Sequence, residues 1–389
     1  MLRPVRCLLV DPAFAVDVVP PAYDALSPAG REAFVAEHPM SWLGAVRSPE
    51  DRGRPPDDSD TLLANRAALV HLLEAGAYVP LPPALYVYRL VEDSHTQTAV
   101  VGELALDGPD AVRLLGHEDV RPLRVESLRS NLELVGATSS PIATTWRAGL
   151  DIDDVLASVT SARPDLAFES AGELSQQVWM VTDTATQDRL IAAMDDDTLY
   201  IVDGHHRVAA ARAFLAGHPA RSEADRHLLV AAFPDHHLRV AAFHRLVATE
   251  ADPASLTGAV LVPQSTIGRG SSAVTDATRA WWHLDLPGES QVLDVERLHR
   301  QVLAGQLGLA DDDPRISFVP GDRSLRDLQD RAVAERAVGF ALAPISVAEV
   351  LDRADTGRTM PAKTTYFHPK VRSGVFLRLH DPADHALVA

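Results

Sequence analysis

The chain has 389 residues, 46% hydrophobic and 23% charged, with 54 acidic against 36 basic side chains and a formal charge of −18. That composition belongs to a folded globule rather than a disordered or fibrous chain, and the length points to two packed domains. So negative a chain, without an offsetting basic patch, repels nucleic acid and anionic membrane surfaces, and neither is expected as a partner. The single cysteine, Cys7, excludes a disulfide framework or a thiolate zinc cluster and suits a reducing, cytoplasmic setting.

In chain order, Val5 to Val10 reads as an opening strand, and Asp11 and Pro12 end its apolar run too soon for a signal sequence. Pro20-Pro21-Ala22-Tyr23-Asp24 follows. Ser27 and Pro28 then supply an N-cap and a first-turn proline for a helix through Ala36. The Pro-, Asp- and Arg-rich stretch from Ser48 to Asp60 predicts an exposed loop, and Leu62 to Glu74 an amphipathic helix closed by Gly76. Alternation from Leu85 to Val91, a polar turn, and Ala99 to Leu106 predict a hairpin. A strand from Leu199 to Val202 runs straight into Asp203-Gly204, and helical spacing continues to Ala216, with Gly217 as the stop. Strands near Leu228–Phe233 and Arg239–Phe243 are expected to extend the same sheet. After Val247 the pattern restarts through a Gly/Ser-rich loop to helices near Val295–Ala304 and Val347–Ala354. The expected division is therefore 1–247 and 248–389. Charges interrupt every apolar stretch before the roughly 18 residues a membrane span needs.

The junction at Asp203-Gly204-His205-His206-Arg207 is the most informative in the chain. A strand that ends in Asp-Gly and opens a helix aims backbone N–H groups, the positive end of the helix dipole and a guanidinium at one point, where an anion belongs. Gly204 lets the backbone approach a phosphate, Arg207 can fork onto two of its oxygens, and Asp203 can hold magnesium or act on a hydroxyl. The bland alternative makes Asp203 a helix cap and Arg207 a surface residue. Neighbouring histidines on a helix point about 100° apart, so His205 and His206 do not suit one zinc ion. His236-His237 reads as a polar edge or loop.

Two further segments carry chemistry. His117-Glu118 sits among Arg121, Arg124 and Arg129, where Glu118 can take a proton from a hydroxyl; the alternative is a solvated glutamate with arginine partners. Residues 361–370 are irregular and rich in hydrogen-bonding groups, so they read as a substrate loop in which Lys363 neutralises an anionic group and Thr364 and Thr365 orient it. The alternative there is an exposed basic turn.

These three pieces, in this order, resemble the free serine kinases of the ParB/sulfiredoxin-like fold and a large bacterial family sharing that architecture. The resemblance runs from Pro20-Pro21-Ala22-Tyr23-Asp24 to Pro361-Ala362-Lys363-Thr364-Thr365 and Phe367-His368-Pro369-Lys370. It implies a mixed-sheet α/β core with a second C-terminal α/β domain. It also implies transfer of a phosphoryl group from ADP or ATP, with magnesium, to the hydroxyl of serine or a serine-like metabolite. In that reading Gly204, His205, His206 and Arg207 hold the nucleotide phosphates, Asp203 lies close to the transferring group, Glu118 is the general base, and His117, Lys363, Thr364 and Thr365 face the substrate. Val208 and Val120 stand where the bacterial family commonly has tyrosine and threonine. A ParB-like nucleotide-binding regulator without kinase activity is the alternative function. Sulfiredoxin chemistry needs a cysteine where His205 stands.

Overall fold

The computed structural model describes residues 2–380, apart from 109–112, 171–173, 195–197, 218–222, 264, 266, 290 and 323. It resolves into two compact units of mixed α/β structure. The first contains Met1–Leu238 and receives the chain again from Pro369 on; the second contains Arg239–His368. Relative to the expected division at 247/248, residues 239–247 go with the second unit and the segment after Pro369 returns to the first.

The first unit is built on an eight-stranded mixed sheet in the spatial order Arg113–Leu115, Thr198–Asp203, Ile142–Trp146, His227–Pro234, His95–Ala105, Leu85–Glu92, Leu174–Val181 and Leu166–Ser170. The predicted hairpin is present, and Asp93 at its tight turn takes a positive φ of 51°, which a short polar side chain tolerates. Helix Pro28–Glu37 starts on the Ser27 cap. Helix Ser59–Glu74 starts on Asp58, whose carboxylate accepts from the Thr61 N–H. Apolar side chains from the sheet and its helices, among them Ile142, Trp146, Leu156, Trp179, Ile201 and Val208, form the core.

A second, four-stranded antiparallel sheet joins the two ends of the unit. Leu8 pairs with Leu377 and Leu9 with Phe376, so the returning segment becomes a strand beside the opening one. The fully buried Phe376 ring sits edge-on to Tyr86 and Tyr88, with centroids 5.4 and 5.5 Å away. The buried Arg378 donates to the carbonyls of His227 and Ala224 and pairs with Glu103 at 3.3 Å.

Strand Arg239–Val247 does not extend the first sheet as its sequence suggests. Pro234 has no N–H with which to continue the ladder, and a one-turn 3₁₀ segment, Asp235–His237, redirects the chain. The strand instead belongs to the second unit, where it pairs with Ile316–Pro320, Val338–Leu342 and Thr365–His368. Leu246, Ala273, Val319, Leu328 and Ala341 make the core there. Helix Val347–Asp355 begins with a Ser346/Glu349 capping box, and the helix expected near Val295 is α-helical only over Asp294–Leu298 before widening to a π turn over His299–Leu303. Among the described residues, no helix is long and apolar enough to cross a membrane.

Truncating Phe376→Ala leaves a cavity under the returning strand and is expected to cost about 3–5 kcal/mol in urea denaturation. A cost below about 1 kcal/mol would mean that this strand does not dock the chain onto the core.

Candidate active site

Strand Thr198–Asp203 reaches the site through a β-bulge. Ile201 faces Thr144 and Asp203 faces Ala143, so two residues of this strand oppose one of its neighbour, a device that re-aims the last side chain. Gly204 then turns the chain with a φ of +108°, and a side chain at this position would meet Ile142 Cδ1 at 2.9 Å and Arg207 Nη2 at 3.0 Å. Only glycine fits there. Helix His205–Gly217 follows at once.

Both oxygens of Asp203 accept charged donors. Lys370 Nζ donates to Oδ1 at 2.8 Å and Arg207 Nη2 to Oδ2 at 2.6 Å, while the same lysine nitrogen donates to Asp24 Oδ2 at 2.8 Å. The Lys370 side chain is 14% exposed. Burial works against its charge, but the two carboxylates outweigh it and raise its pKa above the usual lysine range. Arg207 Nη1 donates to the carbonyls of Ser140 and Pro141, at 2.6 and 2.9 Å. The guanidinium expected to fork onto phosphate thus braces Asp203 against the loop that enters strand Ile142–Trp146.

The segment that carries Asp24 is braced beside it. Arg31 lies 4.1 Å over the Tyr23 ring, donates to the carbonyls of Tyr23 and Leu26, and pairs with Asp51 through two bonds of 2.8 and 2.7 Å. The Tyr23 hydroxyl donates to the same aspartate at 2.9 Å. Asp24 and Lys370 had no role assigned from sequence. The signal was their place inside the two terminal segments that carry the family resemblance.

The histidines stitch the helix start to the segment at 117–121. His205 Nε2 accepts the His117 N–H at 3.2 Å and His206 Nε2 accepts the Arg121 N–H at 3.0 Å. With Nε2 accepting, the His205 ring proton lies on Nδ1, 3.9 Å from a Glu118 carboxylate oxygen. Burial pushes the His205 pKa down to about 4. Burial and the neighbouring His205 push His117 down to about 3. The two rings meet edge-on at 4.5 Å. His117, expected against the substrate, is 1% exposed and forms a wall behind the motif. Glu118 is partly exposed.

Lys363, Thr364 and Thr365 belong to the second unit. There Lys363 Nζ sits 4.8 Å over the Phe243 ring, its carbonyl accepts from Arg245, and Thr364 Oγ1 donates to the Pro361 carbonyl. The last residue of the expected 361–370 loop, Lys370, is the one placed beside Asp203. In the first unit Arg207 also lines a mainly apolar cavity of about 100 Å³ with Trp42, Leu128, Leu132, Ile142 and Ala210.

A family described as a protein of unknown function, DUF1015, matches residues 2–275. The chain belongs to the DUF1015 family. No curated protein matches it. Among the solved structures similar to this DUF1015 chain are the following three. A free serine kinase mutant in complex with ADP is 13% identical, with 71% of this chain and 91% of that one covered and a TM-score of 0.39. SbnI with a C-terminal truncation, from Staphylococcus aureus, is 14% identical, covering 69% and 82%, at 0.40. A conserved hypothetical protein from Pyrococcus furiosus is 13% identical, covering 73% and 95%, at 0.38.

The depressed histidine pKa values set a pH dependence for this DUF1015 chain. Between the ordinary 6.5 and the folded values of about 4 and 3, the unfolded chain binds protons that the folded one does not. Stability therefore rises with pH across that window and is lost on acidification, by on the order of a few kcal/mol. Denaturation midpoints at about pH 7.5 and about pH 5 should differ in that sense, and His205→Asn should flatten the slope. Equal midpoints would contradict the buried neutral imidazoles.

Proposed function

We propose that the chain is a small-molecule kinase that moves a phosphoryl group from ADP or ATP to the hydroxyl of free serine or a serine-like metabolite. One observation carries this reading: three of the segments quoted for the kinase resemblance, far apart in sequence, meet through the Lys370 ammonium between Asp24 and Asp203. The first-turn N–H groups of helix His205–Gly217, reached past Gly204, take the donor phosphates, and Lys370 adds positive charge beside them. His205 and His206 hold that turn in place through the amides they accept, and Arg207 aligns Asp203 rather than gripping the nucleotide alone. The apolar cavity beside Arg207 suits the base.

Asp203 orients the acceptor hydroxyl and Glu118 takes its proton as the oxygen–phosphorus bond forms and the bond to the leaving nucleotide oxygen breaks. His205 Nδ1–H, facing Glu118, steers that carboxylate. A hard oxygen donor such as Asp203, with its side chain 37% exposed, fits magnesium and would hold it. When bound, the ion supplies charge neutralisation at the phosphoryl group.

The test incubates the full chain with magnesium, either nucleotide and a panel of hydroxy-amino acids, and follows phosphorylated product by mass spectrometry. Glu118→Gln should lower turnover by about 10²- to 10⁴-fold while nucleotide affinity is kept. Nucleotide binding with no product from any acceptor would instead indicate a regulator. Lys370→Met removes the cation from between two carboxylates and should cost on the order of 3–5 kcal/mol in denaturation, with nucleotide affinity reduced. Wild-type stability and affinity in that variant would overturn its place in the site.

A further inference from the structure

At the opposite end of the central sheet from Asp203 lies a second cluster of chemistry-bearing side chains. Strand Ile142–Trp146 spans the two ends: its Ala143 faces Asp203, and its Trp146 faces Pro234, after which the chain turns through Asp235-His236-His237. Both imidazoles of that turn converge on one carboxylate in the first turn of helix Asp151–Thr160. His236 Nε2 lies 3.0 Å from Asp153 Oδ2 and His237 Nε2 lies 3.0 Å from Asp153 Oδ1. One ligand atom from each of the three side chains falls within 4.8 Å of the other two.

We propose that Asp153, His236 and His237 form a binding site for a zinc-class divalent cation, with a fourth position open to water or an anion. The arrangement behind the two rings supports it. His237 Nδ1 is 3.4 Å from the Thr98 carbonyl, and His236 Nδ1 is 3.5 Å from Asp235 Oδ1. Oxygen acceptors behind Nδ1 receive the ring proton when a cation takes the Nε2 lone pair, the outer-shell support a metal-ligating histidine needs. Asp235 is itself pinned, since Oδ1 accepts the Ala148 N–H at 3.1 Å and the His236 N–H at 3.0 Å.

With the ring protons on Nδ1, both Nε2 lone pairs and the Asp153 carboxylate converge on one point, where a cation is held by all three. Bonds of about 2.0–2.2 Å to imidazole nitrogen and carboxylate oxygen require only a small widening of the present separations. Two nitrogens and one oxygen form a borderline donor set that favours zinc over magnesium or calcium. All three ligands are partly exposed, so an ion can enter from solvent.

This site stands apart from the kinase reading, and Glu118→Gln should bind the metal like the wild type. The test is calorimetric titration of the chelator-treated full chain with zinc, with cobalt as an optical probe. One equivalent is expected, with tetrahedral cobalt absorption and a zinc-dependent rise in melting temperature. His237→Gln and Asp153→Asn should each weaken binding by at least about 100-fold and abolish the rise. Asp235→Asn, which leaves all three ligands in place, should weaken it by about 10-fold and serves if either ligand variant fails to fold. No binding by the wild type, or affinity unchanged in the folded variants, would overturn the site.

Discussion

An ammonium group shared by two carboxylates organises the first unit. Lys370 enters from the returning segment and is bound at 2.8 Å by Asp24 from the opening segment and by Asp203 from the sheet. Arg207 closes the row on the other oxygen of Asp203, so anion and cation alternate and the four charges sum to zero. Lys370, the most buried of the four, keeps its charge because its desolvation is offset by the two close carboxylates. The network therefore stabilises the unit and specifies which segments belong together.

The rest of the site follows from that arrangement. The bulge at Val202 and the positive φ of Gly204 bring the Asp203 carboxylate to the lysine while the next residues start a helix. Two histidines then accept amides from the 117–121 segment, which places Glu118 beside the helix start. Burial keeps His205 neutral, so that its Nε2 can accept the His117 N–H while the ring proton on Nδ1 faces Glu118.

Much of the frame was legible in the sequence, because hairpin alternation, the Ser27 cap and the strand running into Asp203-Gly204 are local signals that local sequence determines, whereas the helix read from Leu62 in fact starts at Ser59 on an Asp58 cap. The junction motif was legible for the same reason. Pairings between distant segments were not. Pro234 marks a break before Arg239 but not which sheet the next strand joins, and nothing near Lys370 announces an aspartate 167 residues away in the chain. Arg207 was read as a phosphate fork because its type and position suit one, whereas the carbonyls of Ser140 and Pro141 that engage it come from another part of the fold. His236-His237 reads as a loop until Asp153 is seen opposite it.

The route of the chain through the two units has a consequence for biosynthesis. The 130 residues of Arg239–His368 lie between the two parts of the first unit, so a ribosome translates all of the second unit before Phe376–Leu379, one of the two strands that flank Leu8–Val10, exists. A nascent polypeptide that has emerged as far as Leu238 carries Asp24 and Asp203 but not Lys370. The first unit is thus completed last although it begins first, and a product that terminates early within the second unit contains the whole Asp203–Arg207 motif without the cation that organises it. Assembly of the Asp24–Lys370–Asp203 network thereby reports that translation has passed through the second unit.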